Sequence, residues 1–426
     1  MTVERVDPAA LHAMLTDGGE IAVLDVRDNE AYERGHLLLA VSTPLDGLAR
    51  SVRGYVPRSG ARVVLCDADD GLATRAADVL ESAGYDSLFV LGGGVRAWAA
   101  AGHELFETGY AVANSFGLHV QEAYGTPRID GTELRRRIEA GQPLVIVDSR
   151  PYEDFHAATV PGALNVPVAE LIHRIDDLLP DRETQVVVHC GGKTRGILGA
   201  QSLIIAGLEN PVMSLDEGVI DWVLAGGVLE EGADRVPGPA SAGAKSRGLR
   251  VAESIAARFG VLSLSPGELE AWRGEADRRT LYLVDVRGRE EYEAGHLPGS
   301  RWIPGGQLAS CVEDYIATRG ARLCLVDDDG ARAVLTACWM MQAGWPETAV
   351  LAGGLSGHDL VSGPDEFSTP EAEADEATVP DEAAAPEPPE DDATVIASYR
   401  QTIQWRQGLL EQFERDGTLS FVPPPA

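Results

Sequence analysis

The chain lacks a CxxC pair, an apolar run long enough to span a membrane, and positive charge to match its negative charge. Its five cysteines (Cys66, Cys190, Cys311, Cys324 and Cys338) are odd in number and have no metal-ligand spacing. That argues against a disulfide framework or a thiolate zinc site and suits a reducing, cytoplasmic setting. A spanning helix needs about 18 consecutive apolar residues, so no membrane partner is expected. The opening segment MTVERVDPAALHAML carries acidic residues and no apolar core, so it does not read as a secretory signal. With 67 Asp and Glu against 35 Lys and Arg, the formal net charge is −32. Such a molecule repels nucleic acid and anionic lipid, and an anionic substrate must find a local positive pocket.

What is present is a globular composition, 44% hydrophobic over 426 residues. This length suggests about three domains at roughly 100–200 residues each. Three segments answer one another: IAVLDVRDNEAYERGHL (21–37), LVIVDSRPYEDFHAATVPG (144–162) and LYLVDVRGREEYEAGHLPG (281–299). Each is a short apolar strand ending in Asp-x-Arg, at Asp25/Arg27, Asp148/Arg150 and Asp285/Arg287. A second strand follows in each copy (62-RVVLCD, 185-QVVVHC, 322-RLCLVD), then a polar loop and a helix, then a third strand ending in a Gly-rich turn. Strands alternating with helices predict an α/β fold, with three parallel sheets covered by helices on both faces.

Register identifies the loop of interest. A step of 42 residues leads from Asp25 to Asp67, from Asp148 to Cys190 and from Asp285 to Asp327. Cys190 therefore has two structural equivalents, both aspartate. Cys66 sits one place early, and alternation along a strand turns it away from the loop. In 190-CGGKTRG, Gly191 and Gly192 allow a curved backbone whose amides can form an anion nest. The helix starting near Thr194 directs its positive end at the same point. Lys193 and Arg195 add charge, predicting a positive rim and a thiolate at Cys190. By residue type alone, Cys190 reads equally as a small buried hydrophobe beside an ordinary turn. A phosphatase loop would need an arginine six places after the cysteine, where Gly196 stands. His189 points the other way along the strand, and Thr159 replaces the histidine found at His36 and His296. The acidic loops 67-DADDG and 327-DDDG read as solvated turns in decayed copies, with a hard cation as the sharper alternative.

These motifs together resemble the rhodanese family, in its tandem multi-domain bacterial form. The resemblance covers roughly residues 5–103, 125–229 and 262–360, and extends to 326-VDDDGARA and the tail 405-WRQGLLEQFERDGTLSF. It implies a sulfurtransferase with no cofactor and no bound metal. In such a protein a small anionic donor such as thiosulfate gives its sulfane sulfur to Cys190, and cyanide, a thiol or a protein acceptor takes it. It also implies that Gly191, Gly192, Lys193, Thr194 and Arg195 cradle the sulfur and that Asp148 and Arg150 support the loop. The same ion pair in all three copies reads as scaffold first. The alternative is a persulfide relay or scaffold that binds a partner through its inactive modules.

The expected organisation is module one over 1–103, a linker over 104–124 with one short helix around Asn114–Ala123, and module two over 125–230. A linker with a helix over 231–261 and module three over 262–362 follow. An acidic disordered tether is expected over 363–393 and an amphipathic helix with a tail over 394–426. Residues 365–392 hold twelve carboxylates and no Lys or Arg, too little apolar surface to fold alone.

Overall fold

The computed structural model describes residues 3–365 and 392–425; most of the expected acidic tether lies outside the described residues. Three parallel sheets follow one another along the chain. In module two the strands are Arg128–Ile129, Leu144–Asp148, Leu164–Asn165, Gln185–His189 and Val212–Leu215. Their spatial order is first, fifth, fourth, second, third, and modules one and three repeat it. The β-branched run 186-VVV lies in the middle of this sheet, and each of its side chains is fully buried. Runs of this kind fit strands covered on both faces. One face of the module two sheet packs around Phe155 and Trp222, the other around Leu171 and Leu203.

The parallel register confirms the one-place offset of Cys66. Asp25 lies opposite Cys66, Asp148 opposite His189, and Asp285 opposite Val326. The next residue in each chain, Asp67, Cys190 or Asp327, opens the loop. Cys66 is enclosed in an apolar cluster with Leu11, Ile21 and Trp98.

The connecting segments are more than linkers. Residues expected to form a linker over 104–124 contain the helix Ala111–Tyr124, with Asn114, Ser115 and Phe116 buried. It packs against the helix that follows the cysteine loop, so the segment belongs to a shared core. The helix Ala242–Phe259 lies between the helices Leu171–Leu178 and Ala331–Gln342, joining modules two and three. The tail forms two helices where one was expected, Asp392–Arg406 and Leu409–Asp416, with Gly408 between them. Leu409 and Phe413 enter the same core beside the 111–124 helix.

Module three also adds to module one. Its strand Thr318–Arg319 pairs antiparallel with Ile21 and Ala22, making a sixth strand on that sheet. Glu20 anchors the junction, with Arg58 Nη2 at 2.7 Å, Thr280 Oγ1 at 2.7 Å and Arg279 Nε at 2.9 Å. Among the described residues, no helix is long and apolar enough to cross a membrane.

Candidate functional site

The strand Gln185–His189 ends one residue before Cys190, and the helix Thr194–Ile205 starts four residues after it. All of Cys190, Gly191, Gly192, Lys193, Thr194 and Arg195 are buried. The loop is held from behind by the helix Gly218–Leu224. The Val219 amide donates to the Cys190 carbonyl at 2.9 Å, and the Ile220 amide to the Gly191 carbonyl at 3.3 Å. Gly218 makes this approach possible. It has φ +56, and a Cβ there would lie 2.2 Å from the Cys190 oxygen and 2.4 Å from that of Gly192. Sequence reasoning placed Gly218 only in a Gly-rich turn; the signal available was the final glycine of that turn in all three copies.

The sister loops show what this backbone shape binds. In module one, Asp67 Oδ1 accepts the Asp69 amide at 2.8 Å, and Oδ2 accepts those of Gly71 and Ala73 at 3.1 and 3.0 Å. In module three, Asp327 accepts the amides of Gly330, Arg332 and Ala333. Asp67 and Asp327 are buried, whereas Asp69, Asp70 and Asp328 are exposed, so each loop is the expected solvated turn except at its first residue. The two buried carboxylates turn inward to their own amides, away from any cation outside. Each sister nest is thus filled by a carboxylate carried on its own chain. Both loops are also locked as in module two, with Val95 N bonded to Asp67 O and Leu355 N to Asp327 O.

In module two a cavity of about 10 Å³ lies beside the cysteine, space for roughly one water-sized occupant. Its walls come from three parts of the chain. Cys190, Gly192, Lys193, Thr194 and Arg195 supply the loop side, Tyr110 comes from the connecting segment, and Ser310 and Cys311 from module three. The tail also reaches the loop, where Arg406 Nη2 would lie 2.7 Å from a Cβ on Gly192. Thr194 Oγ1 donates to the Ala113 carbonyl at 3.2 Å, fixing the 111–124 helix against the loop.

The expected positive rim needs correction. Lys193 Nζ lies 2.8 Å from both Asp216 Oδ1 and Glu217 Oε1. Glu217 also pairs with Arg406 at 2.6 Å. Arg195 Nη1 donates to Gln307 Oε1 at 2.7 Å and lies 3.8 Å from Asp154. Lys193 and Arg195 therefore stand at the loop with their charge matched by nearby carboxylates and an amide. The loop's attraction for an anion rests chiefly on backbone amides and the helix terminus.

Asp148 and Arg150 form the same device as their counterparts. Arg150 donates through Nε and Nη2 to the two Asp148 oxygens at 3.0 and 2.7 Å, and Nη2 also donates to the Ala158 carbonyl. Arg27 and Arg287 repeat this with Asp25 and Asp285 and with the carbonyls of Gly35 and Gly295. The pair is common to all three modules and does not distinguish the one with the cysteine. Two additions do. Thr159 Oγ1 donates to Asp148 Oδ2 at 2.8 Å, and His189 Nε2 lies 3.8 Å from the same oxygen. Burial pushes the Asp148 carboxyl up, but Arg150 outweighs it and holds the group well below the usual carboxylate range. Burial pushes the His189 imidazole down, so it stays neutral in the core. In module one, by contrast, burial pushes Asp25 up, with Asp67 nearby adding to the effect.

The sequence profile of the rhodanese-like domain matches residues 7–101, 130–225 and 265–358. A crystal structure of a thiosulfate sulfurtransferase from Pseudomonas aeruginosa superposes with a TM-score of 0.89 and 32% identity, covering 99% of this chain and 99% of that one. An HTH-type transcriptional regulator of Mycobacterium tuberculosis is 38% identical over 114 residues, which is 26% of this chain and 49% of the regulator. The centrosomal protein of 41 kDa from Danio rerio is 33% identical over 94 residues, covering 20% of this chain and 25% of that protein. The chain thus spans half or less of the curated relatives it matches, whereas the structural match runs end to end. With one profile met three times over most of its length, the chain belongs to the rhodanese-like sulfurtransferase family, as three such domains in tandem.

Proposed function

We propose that the protein moves sulfane sulfur through a single centre at Cys190. The Cys190 thiolate attacks the outer sulfur of thiosulfate or a similar anionic donor, and the donor's S–S bond breaks. Sulfite leaves with the electron pair, and the outer sulfur stays on Cys190 as a persulfide. Cyanide or a thiol then attacks that sulfur and restores the thiolate. The observation that carries this reading is the comparison of the three loops. Two nests are filled by the carboxylates of Asp67 and Asp327, and the third has a thiol with a one-atom space beside it.

A persulfide anion is the chemical counterpart of those carboxylates: a charge at the end of a short arm, in reach of several amides. Gly191 and Gly192 give the loop its curvature, and the amides from Gly192 to Gly196 correspond to those that hold Asp67 and Asp327. Lys193 and Arg195 anchor the loop to its surroundings. Thr194 fixes the helix terminus, and Asp148 with Arg150 fixes the neighbouring strand end. The Asp67 and Asp327 loops of modules one and three load no sulfur from a donor, because a carboxylate forms no persulfide and already fills its nest. None of the five cysteines is in a disulfide, which suits a reducing, cytoplasmic setting.

A second reading is favoured by burial. Cys190 is 3% exposed, so donor and acceptor need the covering elements to part. A protein acceptor or donor that opens this cover would make the chain a persulfide relay. Intact-mass analysis after thiosulfate treatment tests the main reading. The wild type is expected to gain one sulfur atom and release sulfite, and Cys190→Ser to gain none. Full sulfur loading of the Ser variant would overturn the assignment.

A further inference from the structure

The cavity beside Cys190 has a second thiol in its wall. Cys311 ends the helix Gly305–Ser310 of module three and starts the turn Val312–Asp314. Its place is built in from both sides. Gln307 on the same helix receives Arg195 Nη1 at 2.7 Å, tying that helix to the cysteine loop. Gly305 and Gly306 bring the helix down onto module two. A Cβ on Gly305 would meet Ala169 at 3.1 Å, and one on Gly306 would meet Val168 at 3.3 Å. Ser310 Oγ lies 3.7 Å from Cys311 Sγ.

The other three cysteines differ. Cys66, Cys324 and Cys338 are enclosed away from this cavity, and burial pushes their thiols up, to about 12 for Cys324 and Cys338. Cys190 and Cys311 share a space with room for about one occupant. The outer sulfur of a Cys190 persulfide directed into that space would share it with Cys311.

We propose that Cys311 is a second sulfur-carrying residue, which takes the sulfane sulfur from Cys190 within the cavity that both residues line. The inference rests on the sulfurtransferase reading. The Cys311 thiolate attacks the outer sulfur of the Cys190 persulfide. A bond forms between that sulfur and Cys311 Sγ, and the bond from it to Cys190 Sγ breaks. Cys190 leaves as thiolate and takes up the proton that Cys311 gave. The number of sulfur–sulfur bonds is unchanged, so no oxidant or reductant is needed. Module three, whose own loop is filled by Asp327, thereby serves the centre in module two.

The test is persulfide mapping on the full chain. Protein is treated with thiosulfate, alkylated with iodoacetamide without reduction, digested, and examined for the extra sulfur on each cysteine peptide. The wild type is expected to carry it at both Cys190 and Cys311, Cys311→Ala at Cys190 alone, and Cys190→Ser at neither. A wild type loaded at Cys190 with Cys311 unmodified would overturn the relay and leave the sulfurtransferase reading intact. So would a disulfide joining the two residues, because that product expels the sulfur, or loading of Cys311 in the Ser variant. Absence of extra sulfur from every form would overturn both readings. The wild-type map decides the matter even where a variant folds poorly.

Discussion

At the scale of single residues, the three loops compare a carboxylate with a thiol in one backbone shape. A buried carboxylate pays for desolvation, and at Asp327 this cost is visible. Burial pushes its carboxyl up to about 6, with Asp329 nearby adding to it, while Arg332 and the loop amides oppose. The folded protein therefore holds a proton on Asp327 that the unfolded chain, at the ordinary 3.8, has lost. Stability from this group is complete below about pH 4 and is lost as pH rises through about 6, a change on the order of 3 kcal/mol. Asp327→Asn has no proton to lose. Its melting temperature relative to wild type should rise between pH 4 and pH 7, as calorimetry across that range would show. A constant difference would mean that Asp327 stays charged in its nest. In modules one and three the amide nest persists, and the carboxylate occupies it.

At the scale of elements, the centre depends on a helix packed against the loop's outer side. Gly218→Ala would place a methyl group at sub-contact distance from two loop carbonyls, at a positive φ that alanine adopts only with strain. It should lower stability by roughly 1–3 kcal/mol and abolish sulfur loading in the molecules that remain folded. Gly207→Ala is the control. It also has positive φ, but a Cβ there meets nothing within 4 Å, so loading should survive. Equal loss of loading in both variants would remove the special role of Gly218.

The loop itself was legible in the sequence, because a parallel strand fixes alternation and the 42-residue step fixes which residue opens the loop. The Asp-x-Arg pairs were legible because their partners lie two residues apart. The matching of Lys193 was not, since Asp216 and Glu217 arrive from the end of another strand, and a local motif shows only its own charges. The inward turn of Asp67 and Asp327 was equally hidden. An acidic loop looks solvated until the amides around it are placed.

At the scale of the whole molecule, the modules act as one body around the centre. The 111–124 helix, the helix before Cys311 and the tail all reach the cysteine loop, and no local pattern could predict contacts so distant along the chain. Arg406 illustrates the cost. It is buried, pairs with Glu217 at 2.6 Å, and donates through Nε to Asn114 at 2.9 Å. Arg406→Ala removes one partner of Glu217 but leaves Lys193 on it, so the lost hydrogen bonds should cost roughly 1–3 kcal/mol. It should also uncover the loop, so iodoacetamide should alkylate Cys190 several-fold faster than in wild type, as timed peptide mapping would show. An unchanged rate would mean that the tail does not limit access.

The strand Thr318–Arg319 has a consequence of another kind. It occupies a sheet edge of module one with backbone from module three. Repeat boundaries mark where an ancestral unit was copied, but they no longer mark where the chain can be cut. An excised first module would bare the backbone of Ile21 and Ala22 at that edge, an opening for pairing with another chain. An excised third module would carry that strand with no mate. Three repeats have ended in mutual dependence, and a copy with aspartate in place of the cysteine cannot be removed without disturbing its neighbour.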